Sequence, residues 1–315
     1  MQLIKNVPWD IKYKPLKLED FIFENESLRQ YFTQIIEKKS IPHLLLQGPQ
    51  GTGKTTLAHI LINECGIDPI DVKIINASDE NNVETVREII KSFVTTSSMG
   101  EYKVVLLDEA DYISHNGQAI LRGLMLDYAD VASFILTCNY INKIIPALRS
   151  RCEEVKMIAG DKNEIAEYVV KILVKEKIKV DVKAFDIIDK HVSAGYPDIR
   201  KIIKLIQQHV INDKLMYTAS ETYGDYKSEM MKLIEKDDWR KLKDIVVKNV
   251  SNAGEYEEVY RFLYTNLHHS KTFKNTDNYD SGIVTISEFL FRHYSYNDPE
   301  INFAACAISL GMIGH

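Results

Sequence analysis

One octapeptide restricts the fold of this chain more than any other feature. Residues Gly48–Thr55 read G-P-Q-G-T-G-K-T and match G-x-x-x-x-G-K-T at every fixed position. An apolar segment, His43–Gln47, precedes the octapeptide, and a segment with helical apolar spacing, Thr55–Glu64, follows it. Glycines let the backbone turn its N–H groups toward an anion, and the start of a helix adds a favourable dipole. The pattern therefore predicts a phosphate-binding loop between a strand and a helix.

The predicted loop supplies the groups that ATP and its metal ion require. Lys54 would neutralise the β- and γ-phosphates, and the Thr55 hydroxyl would bind Mg²⁺, which prefers oxygen ligands. A glycine-rich turn without function is the alternative, and the other motifs of the chain disfavour it. The residues expected to line the phosphates are Gly51, Thr52, Gly53, Lys54, Thr55 and Thr56.

Two acidic residues end a predicted apolar strand. Asp108 and Glu109 directly follow Val104–Leu107. Adjacent carboxylates at the exit of a buried strand require a reason, and a metal ion with a positioned water supplies one. We predict that Asp108 holds Mg²⁺ through water and that Glu109 accepts a proton from the attacking water. An ordinary acidic loop is the alternative. Asn139, at the end of the next predicted strand, would orient the water, so these residues indicate an ATPase.

The first half of the chain alternates between predicted strands and helices. Such alternation is typical of an α/β fold in which helices cover both faces of a parallel sheet. After Gly160 the apolar spacing becomes helical, which predicts a small all-helical unit and then a separate helical bundle. The expected strands are His43–Gln47, Val72–Asn76, Lys103–Leu107, Ser133–Thr137 and Glu154–Ile158. The expected domains are 1–158, 159–225 and 226–315.

Composition and charge exclude several classes of protein. The 315 residues carry a formal net charge of −6, whereas a protein that coats nucleic acid over its whole surface is basic. Any nucleic-acid contact must come from a local patch or from backbone donors at helix starts. The four cysteines form no C-x-x-C pair, which argues against zinc and predicts reduced thiols. No apolar run could span a membrane and no secretory core begins the chain, so we expect a cytoplasmic protein without a membrane partner.

Several further motifs carry a resemblance to a known family. The segments are W-D-I-K-Y-K-P at 9–15, P-H-L-L at 42–45, N-A-S-D at 76–79, D-E-A-D at 108–111 and S-R-C at 150–152. In this order they resemble the AAA+ sliding-clamp loader ATPases of the replication factor C small-subunit type, with Lys14 in place of the usual arginine. Residues 153–210 match more loosely and 226–315 resemble nothing sharply. The short chain looks most like the ATPase subunit of tailed-phage clamp loaders, with an archaeal or eukaryotic small subunit as the alternative.

The resemblance implies roles for residues outside the phosphate loop. Residues 159–225 would be a helical lid and 226–315 an oligomerisation collar. Asn139 and Arg200 would sense the γ-phosphate, and Arg151 would enter the ATP site of a neighbouring subunit as an arginine finger. The residues that would line the adenine pocket are Asp10, Ile11, Lys12, Tyr13 and Ile22. An N-terminal arm that merely docks on the sheet is the alternative for that segment.

The resemblance also implies partners and a function. It implies ATP-dependent loading of a ring-shaped sliding clamp onto primer–template DNA, within a hetero-oligomeric ring or spiral of five clamp-loader subunits and, for a phage protein, in the cytoplasm of the host cell. Gln118 and Arg122 would couple the ATP site to DNA. Candidate contacts to DNA phosphates are Asn81, Asn82, Arg87 and Asn116. The alternatives are an AAA+ helicase or branch-migration motor and a non-hydrolysing scaffold subunit, which would lack the acidic and basic site residues present here.

Overall fold

The computed structural model describes residues 7–78, 83–180, 182–211, 213–215, 225–250, 253–293 and 298–313. The chain divides into two compact units, 1–217 and 218–315. The predicted boundary between 158 and 159 stays a prediction, since the segments on both sides of it belong to the first unit. Within the described residues, no helix is both long and apolar enough to cross a membrane.

A five-stranded parallel sheet organises the first unit, as the alternation of strands and helices predicts. The strand order is β2-β3-β4-β1-β5. The strands are β1 (Leu44–Gln47), β2 (Val72–Asn76), β3 (Lys103–Asp108), β4 (Ala132–Cys138) and β5 (Glu153–Lys156). The fifth strand begins one residue earlier and ends two residues earlier than predicted. Its register explains this difference, because Glu153 pairs with Leu44 and Lys156 with Gln47, where β1 also ends.

Helices cover both faces of the sheet. In the first unit the helices are α1 (Trp9–Lys12), α2 (Glu26–Lys38), α3 (Lys54–Glu64), α4 (Val83–Val94), α5 (His115–Asp127), α6 (Pro146–Arg149), α7 (Lys162–Lys175), α8 (Val182–Gly195) and α9 (Ile199–Gln208). Alternate residues of a strand point to opposite faces. Accordingly, Leu106 packs on the side of α2 and α3, whereas Leu107 packs on the side of α4 and α5.

Helices α7, α8 and α9 form a third core with the N-terminal segment. Ile165, Ile188 and Ile202 are almost completely buried there, and Trp9 of α1 packs into the same cluster. The expectation of an all-helical unit after residue 159 needs one correction. A short antiparallel hairpin, β6 (Val210–Ile211) and β7 (Lys214–Leu215), follows α9. A helix cannot continue through this turn, because Asp213 adopts a left-handed backbone conformation with φ of 57°.

The second unit is helical in the part that the structure describes, as expected for residues 226–315. Its helices are α10 (Asp225–Glu235), α11 (Trp239–Asn249), α12 (Ala253–Asn266), α13 (Thr276–His293) and α14 (Pro299–Met312). Tyr260 and Phe303 are completely buried in its core. Asn302 is also buried, and its side-chain amide donates to the Tyr260 hydroxyl and the Phe289 carbonyl at 2.8 Å each. Buried polar groups of this kind require partners, and Asn302 has them.

Candidate active site

Three adjacent strands bring the predicted phosphate and metal residues to one edge of the sheet. The loop Gly48–Thr55 follows β1, Asp108 ends β3, and Asn139 directly follows β4. The carboxyl ends of parallel strands lie at the same edge, where α/β proteins usually bind ligands. The sheet order therefore places the loop and both polar strand ends together.

The loop adopts a conformation that requires glycine. Gly51 has φ of 77° and Gly53 has φ of 90°, which strains any residue with a side chain. A Cβ atom at Gly53 would also lie 2.8 Å from the Phe21 ring. Because Gly53 has no side chain, α3 can begin directly at Lys54. This places the start of α3 beside the loop, where its N–H groups favour an anion.

Lys54 joins the loop to the end of β4. Its buried ammonium donates to the carbonyls of Gly48 at 2.9 Å and Pro49 at 2.8 Å, and to the Asn139 side-chain oxygen at 2.9 Å. Burial lowers the pKa of Lys54, the charges of Asp108 and Asp111 oppose this change, and the charge of Arg200 adds to it. A bound phosphate would further offset the lowering, because a nearby negative charge favours the charged form of lysine. The site therefore fits the triphosphate of a nucleotide.

The predicted metal residues already contact each other. The Thr55 hydroxyl donates to Asp108 Oδ1 at 2.7 Å, and the Thr137 hydroxyl donates to the same oxygen at 2.5 Å. Hydroxyl and carboxylate oxygens are the hard ligands that Mg²⁺ prefers, so this donor set fits the predicted ion. Thr137 belongs to the hydrogen-bonded shell of the site, a role that sequence analysis did not assign.

Glu109 occupies a strained position directly after β3. Its φ and ψ are 57° and 44°, a left-handed conformation that costs a non-glycine residue about 1–3 kcal/mol. The Glu109 N–H donates to the Thr137 hydroxyl at 3.0 Å, and the Tyr112 N–H donates to the Glu109 carbonyl at 2.9 Å. These bonds hold the strained turn, which is typical of a functional site. Thr137 thus orients both predicted acidic residues.

Replacement of Thr137 by valine should weaken the use of Mg²⁺ by about 10- to 100-fold, the usual effect of removing a partner of a metal ligand. Valine fills the same space, but it removes the donor to Asp108 and the acceptor for Glu109. The measurement is the Mg²⁺ concentration that gives half-maximal ATP hydrolysis. Thr137→Ser is the matched control and should stay near wild type. Equal Mg²⁺ requirements in all three proteins would contradict this role.

Asp111 and Gln118 support the neighbouring loop. Asp111 is buried and accepts from the N–H groups of Asn139 at 3.4 Å and Tyr140 at 3.2 Å, which is a structural role. The Gln118 amide is completely buried. It donates to the carbonyls of Ile113 and Lys143 at 2.9 Å each and accepts from the Ile145 N–H at 2.8 Å. Gln118 therefore ties the loop after β3 to the loop after β4.

The candidate DNA contacts that the structure describes lie on two helices. Asn81 and Asn82 lie outside the described residues. Arg87 on α4 and Asn116 on α5 are exposed, as is the second coupling candidate, Arg122. At the start of α5, the Gly117 N–H already donates to the hydroxyl of the capping residue Ser114 at 3.3 Å.

Helix α9 contacts the phosphate loop directly. The Ile199 N–H in its first turn donates to the Gly51 carbonyl at 3.2 Å. Arg200, the next residue, is exposed and lies near enough to Lys54 for its charge to lower the pKa of that lysine. Burial also lowers the pKa of Lys14, and Arg200 lowers it further while Asp108 opposes the change. Lys14 is thus a third cation near the phosphate site. Sequence analysis noted only that it replaces the arginine usual in the family and assigned it no role.

The residues predicted to line the adenine pocket lie against α7, α8 and α9 rather than on the sheet. Tyr13 and Ile22 pack beside the core of α7, α8 and α9, whereas Ile11 is exposed. Lys12 pairs with Glu176 at 2.6 Å, and Asp10 pairs with Lys204 at 3.6 Å. Helix α1 therefore packs on α7, α8 and α9, and its part in binding adenine stays a prediction.

Two arginines lie at the S-R-C segment, Arg149 directly before it and Arg151 within it, and their surroundings differ. Arg149 makes a double contact with the Glu154 carboxylate, with both N–O distances at 2.9 Å. Arg151 lies exposed in the turn between α6 and β5.

The four cysteines are free, and burial raises the pKa of Cys138 and of Cys152 to about 12, so both are thiols at neutral pH.

The fold and the phosphate loop define an ATPase of the AAA class. A model of the ATPase family associated with various cellular activities (AAA) matches residues 44–159. The replication factor C small subunit of Methanococcus maripaludis is 34% identical over 236 residues, which cover 72% of this chain and 74% of that protein. The replication factor C small subunit of Staphylothermus marinus is 28% identical over a match that covers 99% of this chain and 97% of that protein. The chain therefore belongs to the replication factor C small-subunit family.

Two further comparisons limit what this membership implies. The probable replication factor C subunit 5 of Dictyostelium discoideum is 34% identical over 209 residues, but this chain spans 59% of its length. The RuvB Holliday junction branch migration motor of Thermotoga maritima has a TM-score of 0.50 and 19% identity, and the match covers 70% of this chain and 78% of that one. A point variant of the same RuvB protein gives a TM-score of 0.51 at 18% identity. At such identities the likeness shows the fold alone.

Proposed function

We propose that this chain is an ATPase subunit of a sliding-clamp loader. ATP binding would assemble the ATPase domains of several subunits into a ring or spiral that holds a ring-shaped clamp open. Primer–template DNA would enter and trigger hydrolysis, after which the clamp closes on DNA and the loader leaves. Membership of the replication factor C small-subunit family, together with an intact ATP site, supports this proposal.

The single observation that best supports ATP hydrolysis is the hydrogen-bond network around Asp108. Lys54 and Thr55 would bind the triphosphate and its metal, and Thr137 links Asp108 to Glu109 through hydrogen bonds. Mg²⁺ would neutralise charge on the β- and γ-phosphates when bound. Glu109 would accept the proton of the attacking water, and Asn139 and Arg200 would contact the γ-phosphate. A non-hydrolysing scaffold would not need these residues together.

Coupling between ATP and DNA would pass through Gln118. Its three hydrogen bonds join the loop that follows the acidic residues to the loop that follows Asn139. Gln118 lies on α5, the helix that also carries the exposed candidates Asn116 and Arg122. A shift of α5 on DNA would therefore alter the positions of both loops, because a buried amide with three partners cannot move independently of them.

The second unit would serve assembly. On α13, Val284 and Phe291 are 57% and 77% exposed and seven residues apart, which places them on one helix face. On α14, Ile301 and Ile308 repeat this spacing at 64% and 44% exposure. Exposed apolar lines of this kind are typical of protein interfaces. Residues 226–315 contain 11 Lys and Arg against 13 Asp and Glu, which does not favour DNA binding.

Stimulation of ATP hydrolysis tests the proposal against a branch-migration or helicase motor. We expect the turnover of the assembled loader to rise when a clamp and primed DNA are added together, and to rise much less with either one alone. The measurement is steady-state phosphate release in the four combinations of clamp and DNA. Stimulation by duplex or junction DNA without a clamp, accompanied by strand displacement, would instead identify a motor.

A further inference from the structure

The N-terminal segment is attached to the lid helices by polar contacts as well as by packing. Trp9 is buried in the core of α7, α8 and α9, and its backbone N–H donates to the Gln207 side-chain oxygen at 2.9 Å. The Tyr168 hydroxyl donates to the Tyr13 carbonyl. Both ends of the short segment 9–13 are therefore bound to residues more than 150 positions away in the sequence.

Glu176 binds two residues of the segment with one charged oxygen. It follows the last residue of α7, and its Oε1 accepts from the Lys12 ammonium at 2.6 Å and from the Tyr13 hydroxyl at 2.8 Å. The Glu176 side chain is only 20% exposed, although Lys12 is half exposed. Hydrogen bonds to a charged acceptor are stronger than neutral ones, and a shielded acceptor loses less to solvent than a surface pair. Glu176 thus holds two consecutive residues of the segment in one arrangement.

Helix α9 carries a second set of attachments on the face that bears Arg200. Arg200, Lys204 and Gln207 are spaced four and three residues apart and so lie on one side of the helix. Lys204 pairs with Asp10, and Gln207 binds Trp9. Arg200, at the start of the helix, lies beside the phosphate loop, whose Gly51 carbonyl accepts from Ile199. One rigid helix therefore connects the N-terminal segment to the phosphate site.

We propose that Glu176 is a positioning residue that locks segment 9–13 onto the lid, so that a base bound against this segment sets the position of Arg200. This inference rests on the proposed role of the segment in binding adenine. In this arrangement the base end of the nucleotide is recognised by the lid, and the phosphate end by the sheet. The lid then closes on ATP only when one molecule places its base against the lid and its phosphates against the sheet.

The lock acts by preorganisation. A segment of five residues that is free to move must lose conformational freedom when the base binds, and this cost weakens binding. With Glu176 in place, the segment loses this conformational freedom when the chain folds, and not when the base binds. A ligand that consists only of phosphates does not use the segment and gains nothing from the lock. Loss of Glu176 should therefore affect ATP and inorganic tripolyphosphate differently.

The test compares these two ligands in direct binding titrations of the full chain. Glu176→Ala should weaken ATP binding about tenfold, as expected for loss of a hydrogen-bonded charge, and leave tripolyphosphate binding within about twofold of wild type. Glu176→Gln retains one acceptor and should recover part of the ATP affinity. Gln207→Ala removes the Trp9 contact by a separate route and should give the same selective loss. Glu167→Ala, an exposed acid on α7, is the matched control.

Three results separate the inference from the proposed function. Equal losses for ATP and tripolyphosphate would overturn the lock, because they would show a general loss of structure. Unchanged ATP affinity in both Glu176→Ala and Gln207→Ala would overturn it as well. If Glu176→Ala fails to fold, Gln207→Ala and Glu176→Gln still decide the question. Failure of the wild-type chain to bind ATP would instead contradict the proposed function itself.

Discussion

Replacement of Glu109 by glutamine should lower ATP turnover by about 10²- to 10⁴-fold, the usual contribution of a positioned general base. Glutamine has nearly the same size, and its backbone can keep the N–H bond to Thr137 that holds the left-handed turn. Only the capacity to take a proton from water is lost. ATP affinity should stay near wild type, because Lys54, Thr55 and Asp108 are unchanged. Single-turnover phosphate release and an ATP binding titration measure the two quantities.

A matched control separates this effect from a general change in charge. Glu37→Gln removes an acid that is exposed on α2, and turnover should not change. Lys54→Ala provides the opposite pattern, since the loss of the ammonium should abolish ATP binding and turnover together. Normal turnover in Glu109→Gln would remove Glu109 from the role of base and direct attention to another acceptor in the site.

Most of the phosphate site could be predicted because its residues are close in sequence to strand ends. The loop that follows β1 and the acids that end β3 each combine a local motif with an apolar strand. Local patterns of this kind determine where a side chain emerges from the sheet. Parallel pairing then brings the strand ends together at one edge, and the order β3-β4-β1, which the sequence did not predict, makes Lys54, Asp108 and Asn139 neighbours there.

The residues that were not predicted depend on contacts between distant parts of the chain. Thr137 resembles any threonine in a strand, and only its register beside β3 places its hydroxyl between Asp108 and Glu109. Glu176 is one acid among many on a helical segment, yet its partners lie 163 and 164 residues earlier. Such contacts are set by packing and carry no local sequence signal. Helix α2 was also not predicted, although Asn25 caps its start and gives a local signal for it.

The position of Arg151 relative to the sheet supports action on a neighbouring subunit. Arg151 precedes β5, which pairs in parallel with β1 and begins beside Leu44. The phosphate loop lies beyond the other end of β1. From Arg151 to Lys156, the strand direction covers about 16 Å at the usual rise per residue, which is farther than an arginine side chain extends. Arg151 therefore lies toward the opposite edge of the sheet from its own ATP site.

Replacement of Arg151 by alanine should lower hydrolysis in the assembled loader by about 10³- to 10⁵-fold, the effect expected for an arginine finger. The loss of positive charge at the γ-phosphate leaves the transition-state charge without its partner, while ATP binding to the isolated chain should not change. Arg149→Ala is the matched control. Arg149 is already bound by Glu154, so its removal breaks a partly exposed pair and should leave hydrolysis near wild type.

Mixed assemblies decide between action in cis and in trans. Assemblies made only of Arg151→Ala chains lack the finger, and assemblies made only of Glu109→Gln chains lack the base. In an equal mixture, some junctions combine the intact Glu109 of one chain with the intact Arg151 of the next. Hydrolysis should therefore recover in the mixture to well above either parent. If the mixture stays as inactive as its parents, Arg151 acts within its own chain or not at all, and the ATP site is not shared between subunits.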